Sequence, residues 1–509
     1  MITLEARHGD RHTTTQAEPG ATVRAALERT DLRVRTGCAG NGSCGLCRVR
    51  ILSGTVTPPT GEERLNLDPR SLEAGVRLAC QAIALDDVRL EVEEIAPRAV
   101  WTDLPPEALA SPRRQPGAIP AAPGPRIALD VGTSNLNLTI WNAAGARLAS
   151  RRASNPQGFG ADVVTRMQAA RDPEVAGQLA GVVRQAVAAA LDDLPADGAE
   201  PVILAVGNTV MLSLLRGEPT ALLDPEAWTR KAPWPEAGLR WDLCGRSASV
   251  TLVAPLGGFV GSDLLAAVYA ADLTRADRPA LLVDFGTNTE IALWDGARLW
   301  VTSAAGGPAF EACGLRCAIP AEPGAIFRVR PDLAFEVIGG ATPKGVCGSG
   351  LVDWIACLLA SGRLSRRGTF RDPEPPCLGG AGDGIVLVKR DVDLFQRAKA
   401  AIWAGLQVLL ERAGLRCADL ARVVTTGLFG KALDVANAQA IGLLPPVPTD
   451  RTETFDNLAL AGCAALLAAP EGAHALDQLR GRAEIINLAT CCGFEPLFIQ
   501  GLFLAPMED

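Results

Sequence analysis

Three cysteines and four glycines crowd the eleven residues Gly37 to Cys47, and a fourth cysteine, Cys80, follows after 32 residues. The spacing is Cys38-x5-Cys44-x2-Cys47, so three sulfurs share one loop and Cys80 must return to it from elsewhere in the fold. Four thiolates arranged this way suit a 2Fe-2S centre. The glycines permit positive φ and let backbone amides approach inorganic sulfide, where their hydrogen bonds help set the reduction potential. A tetrahedral zinc site is the competing reading. Zinc ribbons usually pair two Cys-x2-Cys knuckles, whereas Cys80 stands alone.

A second chemistry-bearing pattern occurs twice. Asp130-Val131-Gly132-Thr133-Ser134-Asn135 and Asp284-Phe285-Gly286-Thr287-Asn288-Thr289-Glu290 each follow an apolar run and precede another. Each reads as a hairpin with its polar groups at the tip. There, Gly132 and Gly286 let the backbone approach a polyphosphate, while the amides and side chains of Thr133, Ser134, Thr287 and Asn288 bond its oxygens. Asp130, Asp284 and Glu290 are the candidate catalytic carboxylates, placed to position water bound to Mg2+. One Asp-x-Gly-Thr alone is a hairpin turn; two in one chain, with further glycine loops, point to nucleotide binding. Those loops carry Gly306 and Gly307, then Gly348-Ser349-Gly350, then Gly427 and Gly430. A Gly-Ser-Gly at a helix start offers free amides to an anion, and plain capping is the simpler alternative.

Positioning these groups takes a small set of elements. Met1 to Leu4, Arg48 to Leu52 and Val88 to Ile95 alternate as strands do, and Thr22 to Thr30 is a helix candidate. From Pro97 to Pro125, prolines including Pro105, Pro106, Pro112, Pro116 and Pro120 break every periodicity, which predicts a tether. The repeat at a separation of about 150 residues implies two related α/β lobes. Lys389 to Ala413 has helical apolar spacing at Phe395, Ala398, Ile402, Leu406 and Leu409, with Lys399 able to face a phosphate. The expected division is therefore residues 1–96, a linker over 97–125, a first lobe over 126–275 and a second over 276–509.

At 509 residues there is ample length for about three domains. Hydrophobic residues make up 48% and aromatics 5%, so the core must be aliphatic. A net charge of -8 gives no footprint for nucleic acid. Neither a signal-like start at Met1 to Glu5 nor an 18-residue apolar run occurs, so no membrane span and a reducing cytoplasm are expected. Cys313, Cys317, Cys347, Cys491 and Cys492 are expected as packed thiols. Trp228, Trp234 and Trp241 punctuate a proline-rich segment where core packing is favoured.

The cysteine spacing resembles that of ferredoxins with five residues between the first two ligands, which implies a β-grasp domain. Asp130 to Asn135, Asp284 to Glu290 and Thr426 to Gly430 resemble, in order, the two phosphate motifs and the adenosine motif of the acetate and sugar kinase, Hsp70 and actin superfamily. The whole chain is similar to the reductive activators of corrinoid-dependent methyltransferase systems. Asn155-Pro156-Gln157, Gly160 to Val163, Gly207-Asn208-Thr209, Gly306 to Glu311, Gly345 to Leu351, Ala398 to Ile402 and Ile441 to Pro445 also carry this resemblance. It implies ATP-driven, one-electron reduction of cobalt(II) to cobalt(I) in a corrinoid protein serving a methyltransferase, fed by an upstream electron donor. Leu428 and Thr289 depart from the usual glycines of their motifs. An ATP-gated redox switch, an activator of a radical dehydratase and a carbohydrate kinase with a fused electron carrier are the alternatives. The partner's identity and the oligomeric state, a homodimer included, stay open.

Overall fold

The computed structural model describes the chain except residues 29, 39, 97, 106–118, 161, 193–198, 219–233, 235–237, 276–277, 312, 380–383 and 508–509. The N-terminal sheet contains β1 (Ile2–His8), β2 (Arg11–Ala17), β3 (Arg48–Ser53), β4 (Val76–Leu78) and β5 (Val88–Val92), in the order β2-β1-β5-β3-β4. β1 pairs parallel to β5 and antiparallel to β2, and the helix Val23–Leu27 covers a core of Leu4, Leu27, Val49, Leu78 and Leu90. β2 is an edge strand and almost entirely polar, which hides it from any apolar alternation.

A buried ion pair braces the segment that leads to Cys80. Arg77 donates from Nε and Nη2 to Glu63 at 2.9 and 2.8 Å, and the Leu78 amide donates to the same carboxylate at 2.9 Å. Burial opposes ionisation of Glu63, but these bonds hold its pKa below the usual carboxylate value.

Two larger sheets follow. The first lobe holds β6 (Thr102–Asp103), β7 (Arg126–Val131), β8 (Asn135–Trp141), β9 (Arg147–Ser154), β10 (Val202–Gly207), β11 (Leu239–Leu243) and β12 (Arg246–Leu252). Their order is β11-β12-β10-β7-β8-β9-β6. In the second lobe, β13 (Ala280–Phe285), β14 (Thr289–Trp294) and β15 (Leu299–Ala304) are followed by two small sheets. β16 (Ala325–Val329), β17 (Phe335–Val337) and β18 (Gly345–Val346) form one, and β19 (Cys377–Leu378) with β20 (Ile385–Val386) forms the other. β21 (Arg422–Thr426), β22 (Thr452–Thr454) and β23 (Ala483–Ile485) complete the main sheet, ordered β22-β21-β13-β14-β15-β23.

The inner four strands of the two sheets match in connectivity: β10-β7-β8-β9 has the same parallel and antiparallel pairings as β21-β13-β14-β15. Both lobes are α/β, as the repeated pattern predicts. They meet through the helices Ser262–Ala270 and Leu458–Ala468, which approach so closely that a Cβ on Gly462 would stand 2.0 Å from the Ala266 carbonyl oxygen.

The proline-rich stretch is held at both ends. Trp101 donates to the Ala186 carbonyl at 2.8 Å, β6 pairs with β9, and Ile119 is buried in the core between the lobes. Pro106, Pro112 and Pro116 lie outside the described residues. Trp241 is buried and Trp234 donates to the Leu252 carbonyl, while Trp228 is outside the described residues.

The helix Lys389–Ala413 buries each of its five expected apolar positions. Lys399, however, faces away from the cleft: its Nζ donates to the Phe503 carbonyl of the C-terminal segment at 2.6 Å. In that segment Leu504 and Met507 are buried while Pro506 is exposed. Among the described residues no helix is long and apolar enough to cross a membrane.

Candidate active site

The cysteine loop depends on its glycines. Gly40, Gly42 and Gly45 adopt φ of +92, +83 and +70°, and a Cβ on Gly42 would stand 2.9 Å from Glu62 Cβ. Asn66 Nδ2 donates to the Gly42 carbonyl at 3.0 Å, Gln81 Nε2 to the Gly40 carbonyl at 2.9 Å, and the Gly37 amide to Cys44 Sγ at 3.3 Å. The thiols meet in pairs, Cys38 with Cys44 and Cys80, and Cys47 with Cys80. Bonds from Cys44 and Cys80 hold Cys38 far below the ordinary thiol value, and Cys80 holds Cys47 down. Cys44 and Cys80 are themselves pushed up by those bonds, with burial adding to the effect.

Among the described residues, no group of three or more His, Cys, Asp or Glu closes on one point as a single ion would require. Pairwise contacts nonetheless link all four thiols, and the Gly37 amide bonds one of them. Sulfur donors in such a cradle fit an iron-sulfur cluster.

The two hairpin tips face each other across a cavity of about 560 Å³. Ser134 Oγ lies 2.7 Å from Thr287 Oγ1, and Glu311 accepts from Thr287 at 3.2 Å and from Ser134 at 3.4 Å. Asp130 is held by Asn137 Nδ2 at 3.0 Å and Asn457 Nδ2 at 2.9 Å. Arg152 bonds Asn137 and forms a 2.7 Å pair with Asp456.

Asp284 accepts no hydrogen bond among the described residues. Burial, then the nearby Asp263 and Asp130, push it up to about 8. Burial and Asp130 push Asp263 to about 7, burial raises Glu311 to about 7, and burial with Asp263 and Asp284 raises Glu290 well above its ordinary value. Burial also raises Asp130, against its two amide donors. The Thr289 hydroxyl, fully buried in the same wall, has no partner among the described residues. These carboxylates share one buried wall, and their mutual repulsion adds to the effect of burial.

Asp130, Gly132, Thr133 and Ser134 line this cavity together with Asp284, Gly286, Thr287, Asn288 and Glu290, and so do Gly307, Gly348, Ser349 and Gly427. Three expected site glycines stand behind the wall. Gly306 packs on Ile402, Gly350 on the Ile326 carbonyl and Gly430 on Phe285, so each serves close packing rather than the cavity surface. Leu428 lines the opening and is 45% exposed, while its neighbour Phe429 stacks on Phe310 at 4.7 Å.

Sequence reasoning missed Asp263, Asn457 and Arg152, and did not single out Glu311. The glycine-rich run Gly257 to Gly261 before the helix of Asp263 was the available signal.

The cysteine domain borders the same cavity. Arg33 Nη2 donates to the Pro156 carbonyl at 2.9 Å, the Phe159 amide donates to Glu28 at 2.6 Å, and Arg35 pairs with Glu322 at 3.5 Å. Cys313 Sγ lies 2.8 Å from where a Gly37 Cβ would stand, and burial pushes that thiol up to about 12. Glu311 and Cys313, two residues apart, thus touch the hairpin tips and the cysteine loop respectively.

Comparison with known proteins agrees with this layout. Residues 7–85 match the 2Fe-2S iron-sulfur cluster binding domain. Residues 126–276 match the RACo middle region, and residues 278–509 match the C-terminal domain of RACo, the ASKHA domain. The chain belongs to the RACo family.

Among its relatives, the corrinoid activation enzyme RamQ of Eubacterium limosum is 33% identical over 293 residues, 51% of this chain and 47% of that protein. The [Co(II) methylated amine-specific corrinoid protein] reductase of Methanosarcina barkeri is 29% identical over 227 residues, 40% and 41% of the two chains. The matches span less than half the length of these curated relatives. A solved reductive activator for corrinoid,iron-sulfur protein shares the fold, with a TM-score of 0.62 at 21% identity over 100% of this chain and 99% of that one.

Proposed function

We propose that this RACo-family chain uses ATP to drive reduction of a corrinoid protein from inactive cobalt(II) to cobalt(I), which a methyltransferase then methylates. The observation that carries the reading is the single cavity bordered by both facing Asp-Gly-Thr hairpins and by the four-cysteine domain. The names of the two curated relatives point to the same class of substrate. Cys38, Cys44, Cys47 and Cys80 would hold a 2Fe-2S cluster, which supplies one electron at a time when bound and is recharged by an upstream donor.

Gly132 to Ser134 and Gly286 to Asn288 receive the phosphates of ATP through their amides and hydroxyls. Asp284, Asp263, Glu290 and Asp130 would position water bound to the Mg2+ that accompanies the nucleotide, whose charge offsets the repulsion among them. The segment Thr426 to Gly430 borders the adenosine end. A terminal phosphate between the tips competes for the Ser134 and Thr287 hydroxyls that Glu311 now holds, so nucleotide state reaches the segment leading to Cys313.

Reduction to cobalt(I) is uphill for a ferredoxin-type donor. A differential affinity of about 10⁴ between two conformations offsets roughly 240 mV, at about 59 mV per tenfold for one electron. Closure of the lobes on ATP is the source of that bias.

The test mixes anaerobically purified protein with a corrinoid protein in its cobalt(II) state and a chemical reductant, following the cobalt(II) signal by electron paramagnetic resonance. The signal falls only when ATP is added, and Asp284→Ala abolishes the fall with the cluster absorption unchanged. A wild-type fall that ignores ATP would sink the proposal.

A further inference from the structure

The chain carries a net charge of -8, yet Arg363, Arg366, Arg367 and Arg371 fall within nine residues. Arg363 is occupied by Asp372 at 2.8 Å. Arg366, Arg367 and Arg371 are exposed, as is Arg397 on the helix Lys389–Ala413. Among the described residues none of these four has a carboxylate partner, and the nearby Asp393 is taken by Lys389.

The loop is anchored rather than loose. A bridge between Leu364 and Phe370 closes its neck, the Leu504 amide donates to the Arg366 carbonyl at 2.8 Å, and a Cβ on Gly368 would meet Gln396, the residue before Arg397. Its arginines therefore stand beside Arg397 as one outward face.

This face runs toward the cysteine loop. Arg390 lies two helical turns before Arg397, about 10 Å along the axis, and its Nη1 donates to the Leu65 carbonyl at 3.0 Å. Arg316 donates to the same oxygen at 3.1 Å. The next residue, Asn66, holds the Gly42 carbonyl, and a Cβ on Gly314 would stand 3.4 Å from the Ser43 carbonyl. Asn41 and Ser43 form an exposed tip there. A protein resting on the arginines would reach this tip, which lies between Cys38 and Cys44 in the chain.

We infer that this arginine face docks an acidic surface of the corrinoid protein, placing it against the tip of the cysteine loop; the inference rests on the function proposed above. Guanidinium groups pair with carboxylates in a two-point geometry, and a local positive field on an acidic body steers a complementary partner. The electron acceptor fits better than the electron donor, because the arginines belong to the nucleotide-binding lobe. The helix that carries Arg397 packs behind the cavity wall, where a Cβ on Gly306 would stand 2.7 Å from Ile402 Cγ1, next to the cavity-lining Gly307. A donor needs only the cysteine domain, whereas an acceptor gripped according to nucleotide state must touch both.

The test uses full-length protein with its cluster reduced and ATP present, and follows reduction of a cobalt(II) corrinoid protein from the same organism by stopped-flow absorption. At low ionic strength R366E/R367E/R371E slows the second-order step by about tenfold or more, and the gap closes at about 0.5 M salt. Cluster oxidation by neutral benzoquinone and affinity for ATP stay at wild-type values, and R366K/R367K/R371K retains most of the rate. If the triple reversal loses its cluster or fold, the milder R366Q/R367Q takes its place, with a slowing of about threefold expected.

Equal rates for wild type and variant at low salt, with the cluster intact, overturn the docking face and leave the proposed function standing. A defect confined to reduction of the cluster by an acidic protein donor also overturns it, assigning the arginines to the donor. Failure of the wild type to reduce the corrinoid protein at any salt overturns the functional reading itself.

Discussion

The two lobes share a hairpin and differ in how they treat buried charge. In the first, Asp130 is held by two amide donors, and the buried Arg166 donates to the carbonyls of Gly160 and Thr133 and to Gln157. In the second, Asp284 has no hydrogen-bond donor among the described residues, Glu290 has only the Ser303 hydroxyl, and Lys399 has only a carbonyl. Glu290 pairs across its hairpin with Asp284, where the first lobe pairs Asn137 with Asp130. A repeated motif has thus diverged into one tip whose aspartate is held by two protein donors and one whose aspartate has none among the described residues.

The largest effect that would break this contrast is on turnover. Asp284→Asn should reduce ATP hydrolysis by on the order of 10² to 10³, as loss of an electrostatic group aimed at the reacting phosphate does. Asp130→Asn should cost about tenfold, the size of one charged hydrogen bond. Phosphate release measured on both variants decides the matter, and equal losses would mean that the tips are equivalent.

A smaller effect lies in the turns themselves. A Cβ on Gly132 would stand 2.8 Å from the Asn135 carbonyl, whereas one on Gly286 would stand 3.2 Å from that of Asn288. Gly132→Ala should therefore lower unfolding stability by about 1–3 kcal/mol and Gly286→Ala by less than about 1 kcal/mol, read from thermal denaturation.

The smallest effect concerns Lys399, a buried amine that faces away from the cleft. Burial lowers Lys399 to about 7 from its ordinary 10.5. Between those values the unfolded chain binds a proton that the folded chain does not, so this group makes stability rise with pH from about 7 toward 10.5. The slope it contributes is at most about 1.4 kcal/mol per pH unit. Lys399→Met should flatten that rise and stabilise the protein at neutral pH, as followed by denaturation midpoints at several pH values. An unchanged slope would show that the ammonium is not buried in solution as it is here.

Periodic features were the most legible. The two hairpins announced themselves by apolar runs flanking Asp-x-Gly-Thr, and the helix Lys389–Ala413 by its apolar stripe, because both patterns are local consequences of backbone geometry. β2 was invisible, since Arg11 to Gln16 forms an edge with no apolar face. Gly306, Gly350 and Gly430 look like site glycines in a linear reading but serve helix and strand packing, and nothing in their immediate neighbours distinguishes the two uses. Asp263 and Asn457 join the cleft from helix starts that carry no motif of their own.

The sequence by itself determined the chemistry carried by each part: four thiols at ferredoxin spacing, two Asp-Gly-Thr tips, and an excess of carboxylate. Residue type and short-range spacing suffice for that, because they set which atoms a loop presents. Only the tertiary structure decided that Glu311 and Cys313 stand between those tips and the cysteine loop, that Lys399 turns away from the cleft, and that the loop of Gly368 packs on Gln396, beside Arg397. Those relations join residues up to hundreds of positions apart through the packing of whole lobes, and such packing leaves no local period to read.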